Sequence, residues 1–358
     1  MNYNEYLTLF KNNEFRKIDK EKLHTKFYYL RTLSKSKTFK KFCNINNVEV
    51  SLDGVLSNDK ITSEDLKNYI NNNFIYKTEE ETKAIESELN KMQNFDWGGS
   101  MGNNLEKNII NNYVKKIPRY DDIVEAITNS IQKSVYGYTL NSWYNHWSSF
   151  LIEEIFNANE RITPTLDKVE KIDFFIDTIP YDLKVTYFPE ELLKKEMEAE
   201  LLINYGSKSE LTCAKRLARE LNITIPGDLN DKALLICINN LLEESFEKKA
   251  KEYVRFVKYL KKNIIMKYKE NPNKLIKWLY ENQGEMRFDA ANRFYLVLVD
   301  SDNINDSWKL KRNVNVLRRE INNKINSFST DKLNKVDFHW FKDGKDYNCI
   351  SDLLFIIK

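Results

Sequence analysis

The stretch EKIDFFIDTIPYDLKVTYFP, residues 170–189, reads as two short apolar strands joined by a turn, yet each strand carries charge inside its apolar run. Asp173, Asp182 and Lys184 stand where a strand within a sheet would place aliphatic side chains. Successive side chains of a strand point to opposite faces. Asp182, Lys184 and Thr186 therefore share one face, and Leu183, Val185 and Tyr187 the other. A four-residue turn at Asp177-Thr178-Ile179-Pro180 sets Ile176 opposite Tyr181, Phe175 opposite Asp182 and Asp173 opposite Lys184. All three charged residues then share a face, with Asp173 diagonal to Asp182 at roughly 7–8 Å. A slip of one residue would send Asp173 to the other side.

Two carboxylates this close repel unless a positive charge sits between them. A hard cation with a preference for oxygen ligands, Mg²⁺ above all, suits that position. A lysine beside it can hold a water or a phosphate and stabilise developing negative charge. The other reading is a surface hairpin with an Asp173–Lys184 cross-strand pair, and a pattern this short leaves both open.

Upstream, NSWYNHWSSFLIEEIF (141–156) has helical apolar spacing. With Trp147 as origin and ~100° per residue, Glu154 falls at about −20° and Glu153 at about −120°. Glu154 is thus expected in the middle of an aromatic and aliphatic stripe. A carboxylate there is costly unless it is paired or metal-bound.

A helix with an inward Glu, then KIDFFI, a turn and YDLKVT, resembles the PD-(D/E)xK nuclease superfamily, in particular type II restriction endonucleases. The resemblance spans about residues 141–189, with NRFYLVLVD (292–300) as a later core strand. Ile172 stands where the family name has proline, and Asp182 where Glu is commoner. The resemblance implies an α/β fold whose restriction-endonuclease-like core, a mixed central sheet flanked by helices, occupies residues 136–358. A helical region (1–135) would precede it, and a helical insertion at about 190–283 would interrupt it. It also implies Mg²⁺-dependent hydrolysis of phosphodiester bonds in double-stranded DNA. Asp173 and Asp182 would bind the metal, with the carbonyl of Leu183 as a further ligand. Lys184 would orient the attacking water, and Glu154 would act through a metal-bound water. Cleavage of both strands suggests a homodimer. Two alternatives remain: a less specific nuclease of the same superfamily, and a DNA-binding protein in which Asp182 and Lys184 form only a structural pair.

Charge distribution supports a polyanionic partner. Between Lys248 and Lys277 eleven Lys and Arg stand against two acids, Glu252 and Glu270, in a chain of net charge +3. Lys251, Arg255, Lys258 and Lys262 recur at helical spacing and form one basic stripe, a candidate DNA contact. Tyr253, Phe256, Val257, Leu260 and Ile264 form the opposite, core-facing stripe. A second basic run, Lys309, Lys311, Arg312, Arg318 and Arg319, follows the apolar strand at 292–300.

The rest of the chain bounds the class. With 358 residues, 42% hydrophobic and 13% aromatic, a large packed core is available and global disorder is excluded. No apolar run approaches the roughly 18 residues of a membrane span, and the N-terminus lacks the layout of a signal peptide. Four scattered cysteines and three histidines, with no CxxC, argue against zinc and for reduced thiols in a cytoplasm. Thr78 followed by Glu81 is a capping box, FDWGGSMGNN (95–104) is a loop, and Asp343-Gly344 between apolar runs signals a hairpin.

Overall fold

The structure, a computed structural model, describes residues 2–11, 21–33, 38–95, 105–169, 172–227, 229–282, 292–340 and 344–358. Most of the expected loop at 95–104, and Asp343 of the expected hairpin, lie outside these. The chain opens with helices α1 (Tyr3–Lys11), α2 (Glu21–Leu33), α3 (Thr38–Ile45), α4 (Leu52–Ser57), α5 (Ser63–Asn73) and α6 (Glu79–Asn90). The capping box at the start of α6 is formed: Thr78 accepts from the Glu81 amide while Glu81 accepts from the Thr78 amide. Next come α7 (Leu105–Ile109), a wide π-helical turn (Ile110–Val114), α8 (Tyr120–Ala126), a second π turn (Ile127–Ile131) and α9 (Gln132–Asn157). The residues joining α8, the second π turn and α9 keep right-handed helical backbone. One helical rod thus runs from residue 120 to 157, across the expected boundary at 135/136.

Strands β1 (Ile162–Val169), β2 (Ile172–Ile176) and β3 (Ile179–Tyr187) form an antiparallel meander. A helical excursion follows: α10 (Glu190–Tyr205), α11 (Glu210–Glu220), α12 (Asp231–Glu244), α13 (Lys248–Glu270) and α14 (Pro272–Asn282). The chain then returns as β4 (Arg293–Val299), a 3₁₀ stretch (Ile304–Arg312), α15 (Val314–Asn326), β5 (Lys335–Trp340) and β6 (Lys345–Ile357). The six strands form one mixed sheet in the order β1-β2-β3-β4-β6-β5, parallel at β3-β4 and β4-β6 and antiparallel elsewhere. The expected α/β class and mixed sheet are present, and every residue of β4 is buried. Among the described residues no helix is long and apolar enough to cross a membrane.

Side-chain alternation divides the sheet between three cores. One face carries Phe174, Ile176, Tyr181, Leu183, Phe294 and Leu296, covered by α9, the 3₁₀ stretch and α15. On the other face, Phe175 packs against Tyr29 of α2, and Ile172, beside the irregularity in the β1–β2 ladder, joins the same core, while α2 and α5 contact β1. Farther along that same face, Tyr295, Val297, Leu353 and Phe338 pack against the excursion helices. Strand β3 lies between the strands these two helical masses cover, and Asp182, Lys184 and Thr186 share the face between them.

The hairpin that carries Asp173 and Asp182 differs in register from the sequence expectation. Its loop is two residues, Asp177-Thr178, and the pairs are Ile176 with Ile179, Phe175 with Pro180 and Phe174 with Tyr181. Asp177 takes left-handed backbone (φ 53°), which Asp tolerates better than most residues. The turn is clamped from outside. Arg161 donates to both carboxylate oxygens of Asp177 at 3.1 and 2.6 Å and to the Ile325 carbonyl at 2.8 Å. Tyr29 donates to the Asp177 carbonyl at 3.1 Å. Because the shift is two residues and the side-chain period is also two, the faces are unchanged. Continued by one residue, the observed register sets Asp173 directly opposite Asp182 rather than opposite Lys184.

Arg161 and Asp177 are about two-thirds shielded from solvent. Arg161→Ala is therefore expected to lower unfolding stability by about 1–2 kcal/mol, read as a shift of the urea midpoint. An unchanged midpoint would show that the turn is held by local geometry alone.

Candidate functional site

The β2–β3 ladder stops at Phe174–Tyr181. Beyond it the Leu183 amide, freed from the strand pair, donates to a carboxylate oxygen of Asp173 at 2.7 Å. On its other edge β3 is held by β4, with the Asp182 amide donating to the Asn292 carbonyl at 2.9 Å and Asp182 in register with Arg293. The two carboxylates thus face each other where the sheet opens on one side and stays closed on the other.

Both oxygens of Asp182 are engaged by cations. The Lys184 amine lies 2.5 Å from one, and the Arg293 guanidinium 3.4 Å from the other. Arg293 is almost fully buried, with its guanidinium 5.3 Å from the ring centre of Tyr280 and 3.5 Å from the Tyr295 hydroxyl. Burial penalises its charge, but the neighbouring tyrosines and Asp182 hold its pKa above the ordinary value. The Lys184 side chain is 42% exposed against 11% for Asp182, so the site reaches solvent through the lysine.

Among the described residues no such cation is in direct contact with Asp173. Burial first, and then the charge of Asp182, push its carboxyl up to about 6, against the pull of the Leu183 amide and of Lys184. One of two adjacent carboxylates resists ionisation, as expected for like charges in a partly dry site. Oxygen-only donors with no histidine or cysteine favour a hard cation. Among the described residues no group of three His, Cys, Asp or Glu comes together. Two carboxylates are nevertheless enough for Mg²⁺, which keeps several waters and takes further oxygens from phosphates. Asp173, Asp182 and the Leu183 backbone are the groups that would hold it.

Glu154 lies elsewhere. The buried stripe of α9 runs through Gly137, Asn141, Tyr144, Ser148, Leu151 and Ile155, while Trp147 is 37% exposed. Measured from Ser148 instead of Trp147, Glu154 falls at about −120°. Its carboxylate accepts from the Lys77 amide at 3.1 Å, and burial raises its pKa. Moreover, α9 packs on the sheet face opposite the acidic pair. The structure joins Asp173, Asp182, Leu183 and Lys184, leaves Glu154 outside, and adds Arg293. The signal for Arg293 was present: it is the one charged residue in the apolar run 293–299.

Of the basic stripe on α13, Lys251, Arg255, Lys258 and Lys262 are all exposed, and Tyr253, Val257 and Ile264 are buried as expected. Lys258 is paired with Glu243 at 2.5 Å. In the second basic run Lys311 and Arg312 serve the fold, while Arg318 and Arg319 are exposed. Lys311 is buried, bonded to Asn145 at 3.0 Å, with burial pulling its amine down to about 8. Arg312 donates to the carbonyls of Leu89 and Met92 at the end of α6. His146 stacks edge-on against Trp147, and His339 pairs with Asp346 at 2.8 Å.

A cavity of about 710 Å³ opens beyond Thr186, two residues past Lys184, between the end of β3 and helices α10 to α13. Asp173, Asp182 and Lys184 do not line it. Its lysines face acids: Lys194 and Lys232 meet Glu190, Lys208 meets Glu198 and Lys261 meets Glu210.

No protein-family model, curated protein or solved structure matches this chain.

The raised pKa of Asp173 gives a signed expectation for the metal-free protein. Because the folded form holds the proton more tightly than the unfolded one, the contribution of Asp173 to stability is fully present below about pH 4 and is lost as pH rises through 6. Asp173→Asn keeps an acceptor for the Leu183 amide and removes the charge. At pH 8 in chelator it should raise Tm by about 2–4 °C, and at pH 4 the gain should vanish. A gain of equal size at both values would mean that charge is not its cause.

Proposed function

We propose that this chain is a metal-dependent endonuclease acting on double-stranded DNA, with a restriction-endonuclease-like core. The observation that carries the reading is the facing pair Asp173 and Asp182, on one sheet face, where the ladder opens and a half-exposed lysine stands beside them. The element order gives further support by analogy of fold. A helix, an antiparallel meander, a long helical excursion and a parallel fourth strand place the acids on the second and third strands. The exposed stripe of α13 supplies cations for a phosphate backbone. Site-specific cleavage, as by a type II restriction enzyme, is the leading form, with a less specific nuclease as the other outcome.

In this reading Asp173 and Asp182 would hold Mg²⁺, which would supply Lewis-acid polarisation of a phosphate and a water nucleophile near neutral pH. The residues of the chain have separate tasks. Asp182 has Arg293 beside it at 3.4 Å, and the buried position of that guanidinium between two tyrosines leaves it little freedom to move. Asp173 gives up its proton when the site is loaded and stays oriented by the Leu183 amide. Lys184, with a long stem and one foot in solvent, turns from Asp182 toward the phosphate, where its amine positions a water and offsets charge developing on the phosphoryl oxygens. Glu154 has no part in it.

Plasmid and mixed-sequence linear DNA incubated with Mg²⁺ or with chelator test the reading. Discrete fragments with Mg²⁺ support site-specific cleavage, and a smear supports the less specific form. Asp182→Ala and Lys184→Ala should each reduce the rate at least about 100-fold. Intact DNA under all metals and salts, with binding retained, would remove the enzymatic reading. A second measurement addresses the lysine. Lys184→Met frees one oxygen of Asp182, so calorimetric titration should show Mg²⁺ binding roughly 3–5-fold tighter, as fits loss of a part-exposed ion pair of about 1 kcal/mol. Equal or weaker binding would place the cation elsewhere.

A further inference from the structure

Helix α13 divides its cations by direction. With Arg255 as origin and ~100° per residue, Lys251 stands at about −40°, Lys262 at about −20° and Lys269 at about −40°. All four are exposed, and among the described residues none of them is paired with a carboxylate. Lysines that leave this arc behave differently. Lys258, Lys261 and Lys267 are held by Glu243, Glu210 and Glu196 of the neighbouring helices at 2.5, 2.8 and 2.7 Å. The two acids of α13 itself, Glu252 and Glu270, stand at about 60°, outside the arc. Lys248, at about 20°, reaches Glu252 at 3.7 Å. Where α13 meets its neighbours its lysines are neutralised, and from residue 251 to 269 its outer arc stays positive over ~27 Å.

Aromatic rings share this surface. Tyr259 falls at about 40° and is 67% exposed. Phe246, just before the helix, is 95% exposed, with the Lys251 amine 5.7 Å from its ring centre. Rings left in water contribute nothing to the packing of the fold. The charge calls for a polyanion, whose identity as nucleic acid rests on the nuclease reading. A duplex hides the faces of its bases in its own stack, so exposed rings gain nothing from its backbone. An unpaired strand offers phosphates to the cations and base faces to the rings, the combination by which proteins hold single strands without reading their sequence. We propose that the outer face of α13, together with Phe246, binds an unpaired nucleic-acid strand. Its phosphates lie along Lys251, Arg255, Lys262 and Lys269, and its bases stack on Phe246 and Tyr259. The DNA cut at the acidic pair then carries a single-stranded stretch beside its duplex.

Fluorescence anisotropy of the full chain with a labelled oligothymidylate of about 20 nucleotides, and with a duplex of the same length, tests it. Chelator is present throughout, so cleavage plays no part. The single strand should bind at least about 10-fold tighter than the duplex. Its slope of log K on log salt should lie near −3, about −0.7 for each of four phosphates. Phe246→Ala and Tyr259→Ala should each weaken the single strand about 5–10-fold and leave the duplex unchanged. Arg255→Gln and Lys262→Gln should each reduce the slope by about 0.7, whereas Lys258→Gln, whose amine Glu243 already holds, should not alter it. Each changed side chain is exposed, and unaltered melting curves will show that the losses are of binding. Equal or tighter binding of the duplex would overturn the proposal. So would single-strand binding indifferent to both aromatic variants, or to both unpaired cations. Cleavage with Mg²⁺ but no single-strand preference sinks this proposal alone, and a single-strand preference without cleavage sinks the nuclease reading alone.

Discussion

Strand β3 is hydrogen-bonded antiparallel on one edge and parallel on the other, and most of the architecture follows from that asymmetry. An antiparallel partner can be reached through two residues, but a parallel partner needs a crossover. Residues 190–282 are that crossover, much enlarged, and they must lie on a face of the sheet. The N-terminal helices cover the same face over β1 and β2, and the crossover covers it over β4, β6 and β5. Between them β3 carries Asp182, Lys184 and Thr186 on that side, beside Asp173 of β2 and Arg293 of β4. Asp182 and Lys184 are therefore set along a seam by the topology itself, the lysine reaching solvent and the aspartate buried beneath it, without any special loop.

Within the seam the charges are arranged with unequal mobility. Arg293 is buried and fixed between aromatic rings, so Asp182 keeps one permanent counter-ion. Lys184 is half in solvent and can leave. Asp173 is the member whose charge is least supported, and its proton is the easiest to exchange for a cation. A carboxylate pair with one fixed and one removable partner can accept an ion of double charge without rebuilding the sheet around it.

Much of this was legible in the sequence, for reasons that differ residue by residue. The common face of Asp173, Asp182 and Lys184 survived a register error of two because strand periodicity is also two. Strand β4 announced itself as an unbroken apolar run. Strand β1 escaped notice because Pro164, Asp167 and Lys168 break the alternation that marks a strand. Glu154 was misplaced because the wheel was centred on Trp147, a large aromatic that lies on the flank of α9. The residues that face the core there include Gly137, Asn141 and Ser148, which hydropathy does not reveal. Likewise Lys311 and Arg312 read as a basic surface, though one is buried and the other caps α6. Long basic side chains satisfy buried carbonyls as readily as they meet phosphates, and only packing separates the two.

The pairing of Asp182 with Arg293 joins positions separated by about 110 residues. The hairpin that brings the two acids together closes through two residues, and such local contacts form early, whereas distant parallel pairing comes late in folding. A nascent chain would hold Asp173 and Asp182 face to face before Arg293 exists to stand beside them. Until β4 docks, mutual repulsion favours a loose or protonated hairpin. The site is therefore completed by the same event that completes the sheet. A chain stalled before that point carries the acids without the geometry, which ties any chemistry at the seam to a finished fold.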